Sequence, residues 1–496
     1  MRLTLGLALL GGLGLAAGCE ALWGGLSVPA PENCVLSGNP CQMGQRCDPI
    51  TQLCQDEFTF TAITPSRAPT SAAQTPLVIS GENFVPGMIV RWNGVALGSV
   101  SVESATTLRV TAPMSAGEWR VNVEITNPSG LTVRRRDLFS YYSTAVSLQP
   151  LQPALTANQG ASVLRVTPLL TPQSGGIVIG SGTGQLRGLL LSSDGQSVSD
   201  RWTLVGPPNP NALLIGDLNS DGVRDLLLSS SQGFYWVQGN ADLSFQQNRA
   251  LYTGALGGMR LGIGDLEGDG AADLVGIDLA TNQVAVLSAG GTRYMALSVG
   301  ALSPAAVAVA QLDGAGGDEL AVTYKGTVDH LSYFRGGAGA PVDVSIAACT
   351  GGLVQTGRFT AGTTADLLLS CAERVQLLVG AGDGTFTAGQ PFLIAQPSGQ
   401  EVGAPAIADF DGDGDLDVLI VQLPATGAAR ADLVLLENTD GRGTLVARPL
   451  PGGVAVSVSA LVDAGDVNDD GKPDLVIGER MPSSPTPLTV LLNVSR

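Results

Sequence analysis

The sequence predicts an all-β protein, a small β-sandwich followed by a seven-bladed β-propeller. Residues 60 to 142 alternate apolar and polar side chains with period two, and Gly, Pro and Asn turns break the runs. An acidic loop, DLNSDGVRD at its first full occurrence, then recurs through the remainder of the chain. Copies aligned from positions 168, 217, 265, 311, 358, 409 and 466 make seven units, each holding about four strand-like runs, and that is the arithmetic of a propeller. A solenoid is the alternative that the same period allows.

Composition narrows the function classes. With 496 residues, 44% of them hydrophobic, the chain can bury several substantial cores. Its formal charge of -18 excludes nucleic acid and anionic membrane surfaces as partners, since both need clustered Lys and Arg. Lys325 and Lys472 are the only lysines. Arg134, Arg135 and Arg136 form the one basic cluster, and they read as a solvated strand end.

The N-terminus, MRLTLGLALLGGLGLAAGCEALWG, carries one positive charge at Arg2 and then a largely apolar run ending in small residues before Cys19. This is the pattern of a secretory signal over residues 1–18. Ala-Ala-Gly-Cys resembles the lipobox of bacterial lipoproteins, which implies lipidation of Cys19, a linker over 19–31, and an anchored protein on the outer membrane or cell surface, with Glu20 favouring the outer membrane. An ordinary cleaved signal peptide is the alternative. Six cysteines then remain. Cys34, Cys41, Cys47 and Cys54 fall in a module, residues 32–56, too short for its own core, so disulfides are expected to hold it. Their pairing stays open among three connectivities. A zinc knuckle is disfavoured because no CxxC pair and no nearby histidine are present. Cys349 and Cys371 are left as a last disulfide pair.

In residues 57–142, TPLVISGENFVPGMIVRWNG, SVSVESATTLRVTAP and GEWRVNVEITNPSG are the strands of the sandwich. Ile63, Pro65, Gly81, Asn83, Phe84, Pro113, the NPSG turn at 127–130 and Phe139 together resemble an IPT/TIG domain. That resemblance implies an immunoglobulin-like β-sandwich with no catalytic residues, acting as spacer or binding module.

Residues 143–496 make the propeller. In four loops an oxygen-bearing side chain stands at the first place (Asp217, Asp265, Asp409, Asp466), the third (Asn219, Glu267, Asp411, Asn468), the fifth (Asp221, Asp269, Asp413, Asp470) and the ninth (Asp225, Asp273, Asp417, Asp474). Glycine stands at the sixth. Oxygen ligands at alternating positions converge on one hard cation, glycine permits the reversal, and the seventh residue (Val223, Ala271, Asp415, Lys472) offers its carbonyl. An EF-hand needs a Glu at the twelfth place and a helix after it; here the twelfth residues are Leu228, Gly276, Ile420 and Ile477, inside strand-like runs. Three worn copies begin at Pro168, Gln311 and Arg358; the first keeps no ligand, the second keeps Asp313 and Glu319, and the third keeps Asp366. LTVLLNVSR at the C-terminal end is a third-strand run, and TAVSLQPLQPAL near residue 145 is available to supply the fourth strand.

These DxDGDGxxD loops running into strands resemble the FG-GAP/VCBS repeats of integrin α-subunit propellers and bacterial surface proteins, and GAGDGTF at 380–386 is similar to another part of that repeat. The resemblance implies about four structural Ca2+ ions, with protein or glycan ligands docking away from the metal.

Catalytic chemistry finds little support. His330 is the single histidine and reads as a structural residue on a strand, no nucleophile elbow is present, and GSGTG at 180–184 opens no helix. The expectation is a non-enzymatic adhesion-like binding protein. The alternatives are a calcium-dependent polysaccharide-degrading enzyme and a passive envelope component.

Overall fold

A computed structural model of the chain describes residues 45–47, 54–56 and 58–495, less 116–120, 129, 137, 144–145, 152–154, 158–160, 169–174, 192–197, 243, 254–255, 279, 289–292, 298, 300–301, 337–340, 395–402, 423–429, 449, 451–454, 458–459 and 480–485. The signal segment, Cys19, Cys34, Cys41 and most of the first worn loop lie outside the described residues. Gln45–Cys47 and Cys54–Asp56 pair antiparallel, with Cys47 opposite Cys54 in register. The chain divides into two units, Met1–Thr144 and Ala145–Ser495. Among the described residues no helix is long and apolar enough to cross a membrane.

In the first unit, Thr59–Thr64, Gln74–Glu82, Thr107–Pro113 and Val100–Ser104 form one antiparallel sheet in that spatial order. Thr132–Arg135, Val123–Thr126, Ile89–Trp92 and Val95–Ala96 form a second. Period-two alternation sends Leu77, Ile79, Leu108 and Val110 from one sheet, and Val90, Trp92, Val123 and Ile125 from the other, into one shared core. Phe139 meets Trp92 edge-on at 4.8 Å between ring centroids, a favoured aromatic geometry. Arg134 and Arg135 end an exposed strand, and Arg134 reaches Glu124 at 3.0 Å.

The second unit is a β-propeller. Among the described residues it contains seven antiparallel sheets. Blade two shows the plan: Pro210–Gly216, Asp225–Ser230, Gly233–Val237 and Arg249–Thr253 follow one another in sequence and in space. By residue number blade one is 161–205, blade three 256–297, blade four 304–350, blade five 353–393, blade six 406–457 and blade seven 460–493. Second strands such as Asp225–Ser230 and Glu319–Tyr324 are buried along their whole length. They face a neighbouring blade on each side, which is why their sequences are continuous apolar runs without alternation. In blade five the outer strand is split into Phe386–Ala388 and Phe392–Leu393 across Gly389, Gln390 and Pro391, where proline has no N–H for the ladder.

The core is distributed around the ring as one apolar cluster between each pair of adjacent blades. Leu227, Phe234, Leu274 and Leu287 join blades two and three; Leu164, Ile177, Val476 and Val490 join blades one and seven. The second of these clusters closes the circle. Blade seven supplies Ala460–Gly465, Asp474–Glu479 and Thr486–Asn493. Its outer edge is completed by Leu148–Pro150 and Leu155–Ala157, both paired antiparallel with Thr486–Asn493. The start of the unit therefore supplies the missing strand, as expected, and covers the edge that Thr486–Asn493 would otherwise leave open.

Cys349 and Cys371 are disulfide-bonded. Cys349 lies on the outer strand of blade four and Cys371 just beyond the second strand of blade five, so the bond crosses between blades. The cross-link spans 22 residues. Replacing both cysteines with Ala is expected to lower unfolding free energy by about 3 kcal/mol. Denaturant melts under oxidising and reducing conditions check this, and equal midpoints would show that the bond contributes nothing.

Candidate metal centre

Each full acidic loop is built by its own side chains before any ion is considered. The first aspartate accepts backbone N–H groups from further along the loop: Asp217 from Asp221 and Gly222 at 3.1 and 2.7 Å, and Asp466 from Asp470 and Gly471 at the same distances. Asp265 repeats this with Asp269 and Gly270, and Asp409 accepts from Gly414. The fifth residue then takes the N–H of the seventh: Asp221 from Val223, Asp269 from Ala271, Asp413 from Asp415, Asp470 from Lys472. These are Asx-type turns, with short side chains standing in for a backbone acceptor.

The sixth-place glycines take the left-handed conformation, with φ of 81° at Gly222, 84° at Gly270, 87° at Gly414 and 85° at Gly471. Sequence reading missed that the fourth place does so too: φ is 57° at Ser220, 70° at Gly268, 78° at Gly412 and 62° at Asp469. The signal was present as Ser, Gly, Gly and Asp, residue types that include those best able to tolerate the conformation.

The ninth aspartates are the most deeply placed. Asp225, Asp417 and Asp474 are fully buried and Asp273 nearly so. One carboxylate oxygen accepts the N–H of the second loop residue: Leu218 for Asp225, Leu266 for Asp273, Phe410 for Asp417 and Val467 for Asp474, at 2.8–3.0 Å. In three loops the other oxygen accepts an N–H at the end of the third strand, from Gly239, Asn438 or Asn493. The ninth residue thus clamps loop to blade while keeping lone pairs for a cation, because an ionised carboxylate can accept about four hydrogen bonds.

The donor set fits a hard cation. One oxygen from each of Asp409, Asp411 and Asp413 lies within 4.8 Å of the other two. In blade two the third-place oxygen, Asn219 Oδ1, is buried and accepts no hydrogen bond, although its amide nitrogen donates to Asp221 at 2.8 Å. A buried acceptor of this kind costs free energy unless something positive meets it. Burial raises the pKa of Asp417, with the charges of Asp409 and Asp413 adding to the shift. Burial also holds Asp411 up, reinforced by Asp417 and Asp413, and pushes Asp474 to about 7. Oxygen-only ligands at these spacings are the chemistry of calcium; Asp409, Asp411, Asp413 and Asp417, with the carbonyl of Asp415, would hold the ion in blade six.

Two residues outside the loop pattern also serve the ring. Asn438 Nδ2 donates to the Phe359 carbonyl at 2.6 Å and Asn493 Nδ2 to the Phe410 carbonyl at 2.8 Å. Each latches a third strand to the loop of the preceding blade. An asparagine ending an apolar third-strand run, LVLLEN or TVLLN, is the signal that marks them. Elsewhere the sequence candidates fall where expected on strands and turns. His330 lies on Thr327–Phe334 with Nδ1 3.1 Å from Asp329, and GSGTG makes a hairpin turn with Gly184 at φ 87°.

Comparison with known proteins agrees with the repeat reading. The FG-GAP-like repeat matches residues 217–276 and 363–420, so the chain carries FG-GAP-like repeats in its propeller. Among solved structures, an auxiliary nutrient binding protein from Bacteroides ovatus is similar at 12% identity, covering 88% of this chain and 98% of its own, with a TM-score of 0.35. A periplasmic gluconolactonase from Pseudomonas aeruginosa is similar at 14% identity, covering 75% and 100%, with a TM-score of 0.41. An Agrocybe aegerita lectin specific for non-reducing terminal N-acetylglucosamine is similar at 15% identity, covering 77% and 96%, with a TM-score of 0.40. No curated protein sequence matches the chain.

Proposed function

We propose that the protein is a lipid-anchored component of the bacterial cell surface whose calcium-stabilised propeller binds a protein or glycan without chemically changing it. The observation that carries this reading is how the acidic loops use their side chains. Their carboxylates fix turns and clamp loops to blades, so a cation among them is scaffold. Recognition then falls to the loops connecting strands and blades elsewhere on the ring. The bound cation supplies charge neutralisation and cross-linking of the loop; Asp217, Asp265, Asp409, Asp466 and their partners hold it. Cys19 carries the lipid, and the preceding segment directs export. The first unit acts as an immunoglobulin-like IPT/TIG spacer, a reading supported by its two four-stranded sheets around one core. The remaining cysteines, Cys34, Cys41, Cys47 and Cys54, staple the short module that precedes those two sheets.

The test is a glycan array and a cell-surface pull-down using the chain with Cys19→Ala, in calcium and in chelator. Saturable capture that Asp466→Ala weakens only in proportion to its loss of thermal stability supports the reading. A metal-loop variant that abolishes capture at unchanged stability would place the ligand on the cation instead, and release of unsaturated sugars would make the protein an enzyme.

A further inference from the structure

Two worn copies of the acidic loop are described, in blades four and five, and each carries a nitrogen donor at the first place where the full loops carry a carboxylate. In blade four, Gln311 Oε1 accepts the N–H groups of Asp313 and Gly314 at 3.2 and 2.8 Å, as an aspartate would. Its Nε2, however, donates to the carbonyl of Gly317 at 3.1 Å. Gly317 is the seventh residue, whose carbonyl would otherwise face a cation. The acid kept at the third place, Asp313, lies 3.3 Å from Arg335 Nε. In blade five, Arg358 Nη2 donates to the Gly362 carbonyl at 2.8 Å. No residue from 358 to 366 has a positive φ, because Ala361 and Thr363 replace the residues that take the left-handed turns.

We infer that blades four and five take no cation: their loops are closed by their own N–H donors, and a covalent bond ties these two blades to each other. The contacts across this one boundary are consistent with that division. Besides Cys349–Cys371, the Ala365 N–H donates to the Gln311 carbonyl at 2.9 Å and Arg335 Nη2 to the Asp383 carbonyl at 2.9 Å. Arg374, buried, donates from blade five to the carbonyls of Ala347 and Ala348 in blade four. The ring is thus held by two chemistries on different arcs, calcium in blades two, three, six and seven and a disulfide in blades four and five. Chelator and reductant should act on separate parts of one ring. This inference rests on the calcium reading above.

Hydrogen exchange of the whole chain tests it, together with calcium counts on variants. In chelator, Asp225–Ser230, Asp273–Asp278, Asp417–Gln422 and Asp474–Glu479 are expected to lose protection while Glu319–Tyr324 and Asp366–Ser370 keep it; reductant added to chelator then releases these as well. Asp313→Asn should leave the number of bound calcium ions unchanged, and Gln311→Asp with Ala315→Asp should raise it by one. A count that falls by one in Asp313→Asn, or exchange of Glu319–Tyr324 in chelator alone, overturns the inference while leaving calcium in the full loops. A wild-type chain that binds no calcium overturns both readings.

Discussion

Chelated protein carrying Asp411→Asn melts above chelated wild type, and the order reverses when calcium is added. Asp411 is 4% exposed, and its nearest charged neighbours in the loop are Asp409, Asp413 and Asp417. With no cation present, neutralising it removes like-charge repulsion in a poorly solvated site, a gain of about 1–2 kcal/mol. With a cation bound, the same change weakens a ligand, and the calcium-dependent rise in melting temperature shrinks by more than the gain. Asp417→Ala behaves differently because its carboxylate has a second task. The N–H groups of Phe410 and Asn438 lose their acceptors in the interior, at about 1–3 kcal/mol each, so the variant is destabilised in chelator and in calcium alike. Thermal melts of wild type and the two variants in both conditions decide the matter. If Asp411→Asn loses the same stability with and without calcium, the loops are held by hydrogen bonds alone and the cation reading fails.

Leu491→Asp is expected to open the ring. Leu491 is fully buried on Thr486–Asn493, in the cluster that packs blade seven against blade six, and its backbone pairs with Pro150 from the start of the unit. An unpaired charge there can neither be solvated nor matched, and losses above about 4 kcal/mol are the usual result of such a change. Leu491→Ala, which leaves a cavity but no charge, should cost about 2–5 kcal/mol and keep the ring closed. Proteolysis near residues 148–157 reports the difference. Rapid cleavage in Leu491→Asp and slow cleavage in Leu491→Ala is the expected pattern; equal resistance in both would mean that this strand is not what closes the circle.

Much of the propeller was legible because its information is local and repeated. The DxDGDGxxD spacing, the apolar second strands and the surplus third-strand run at the C-terminal end each state their role within ten or so residues. What was not legible depends on contacts between distant segments. Asn438 and Asn493 look like ordinary strand ends until the Phe359 and Phe410 carbonyls of the preceding blade are beside them. The ninth aspartates read as plain ligands, and only the fold reveals that their oxygens also satisfy backbone N–H groups from two directions. The left-handed fourth residue was hidden for a different reason: Ser220 and Asp469 hold it without glycine, so no single residue type marks the place.

The closing blade also orders events in time. The Ser147 N–H and the Ser495 hydroxyl that accepts it are 348 positions apart in the chain, while blades one to six are made of neighbours in sequence. Bringing such distant ends together costs about 5 kcal/mol of chain entropy, recovered only after the intervening blades have shortened the gap. Hairpins can form as the polypeptide emerges, but the strand near residue 148 must wait, exposed, until the last blade has been made. The step that topology burdens most is therefore the meeting of the first strand of the unit with the last, which waits until blade seven has been made.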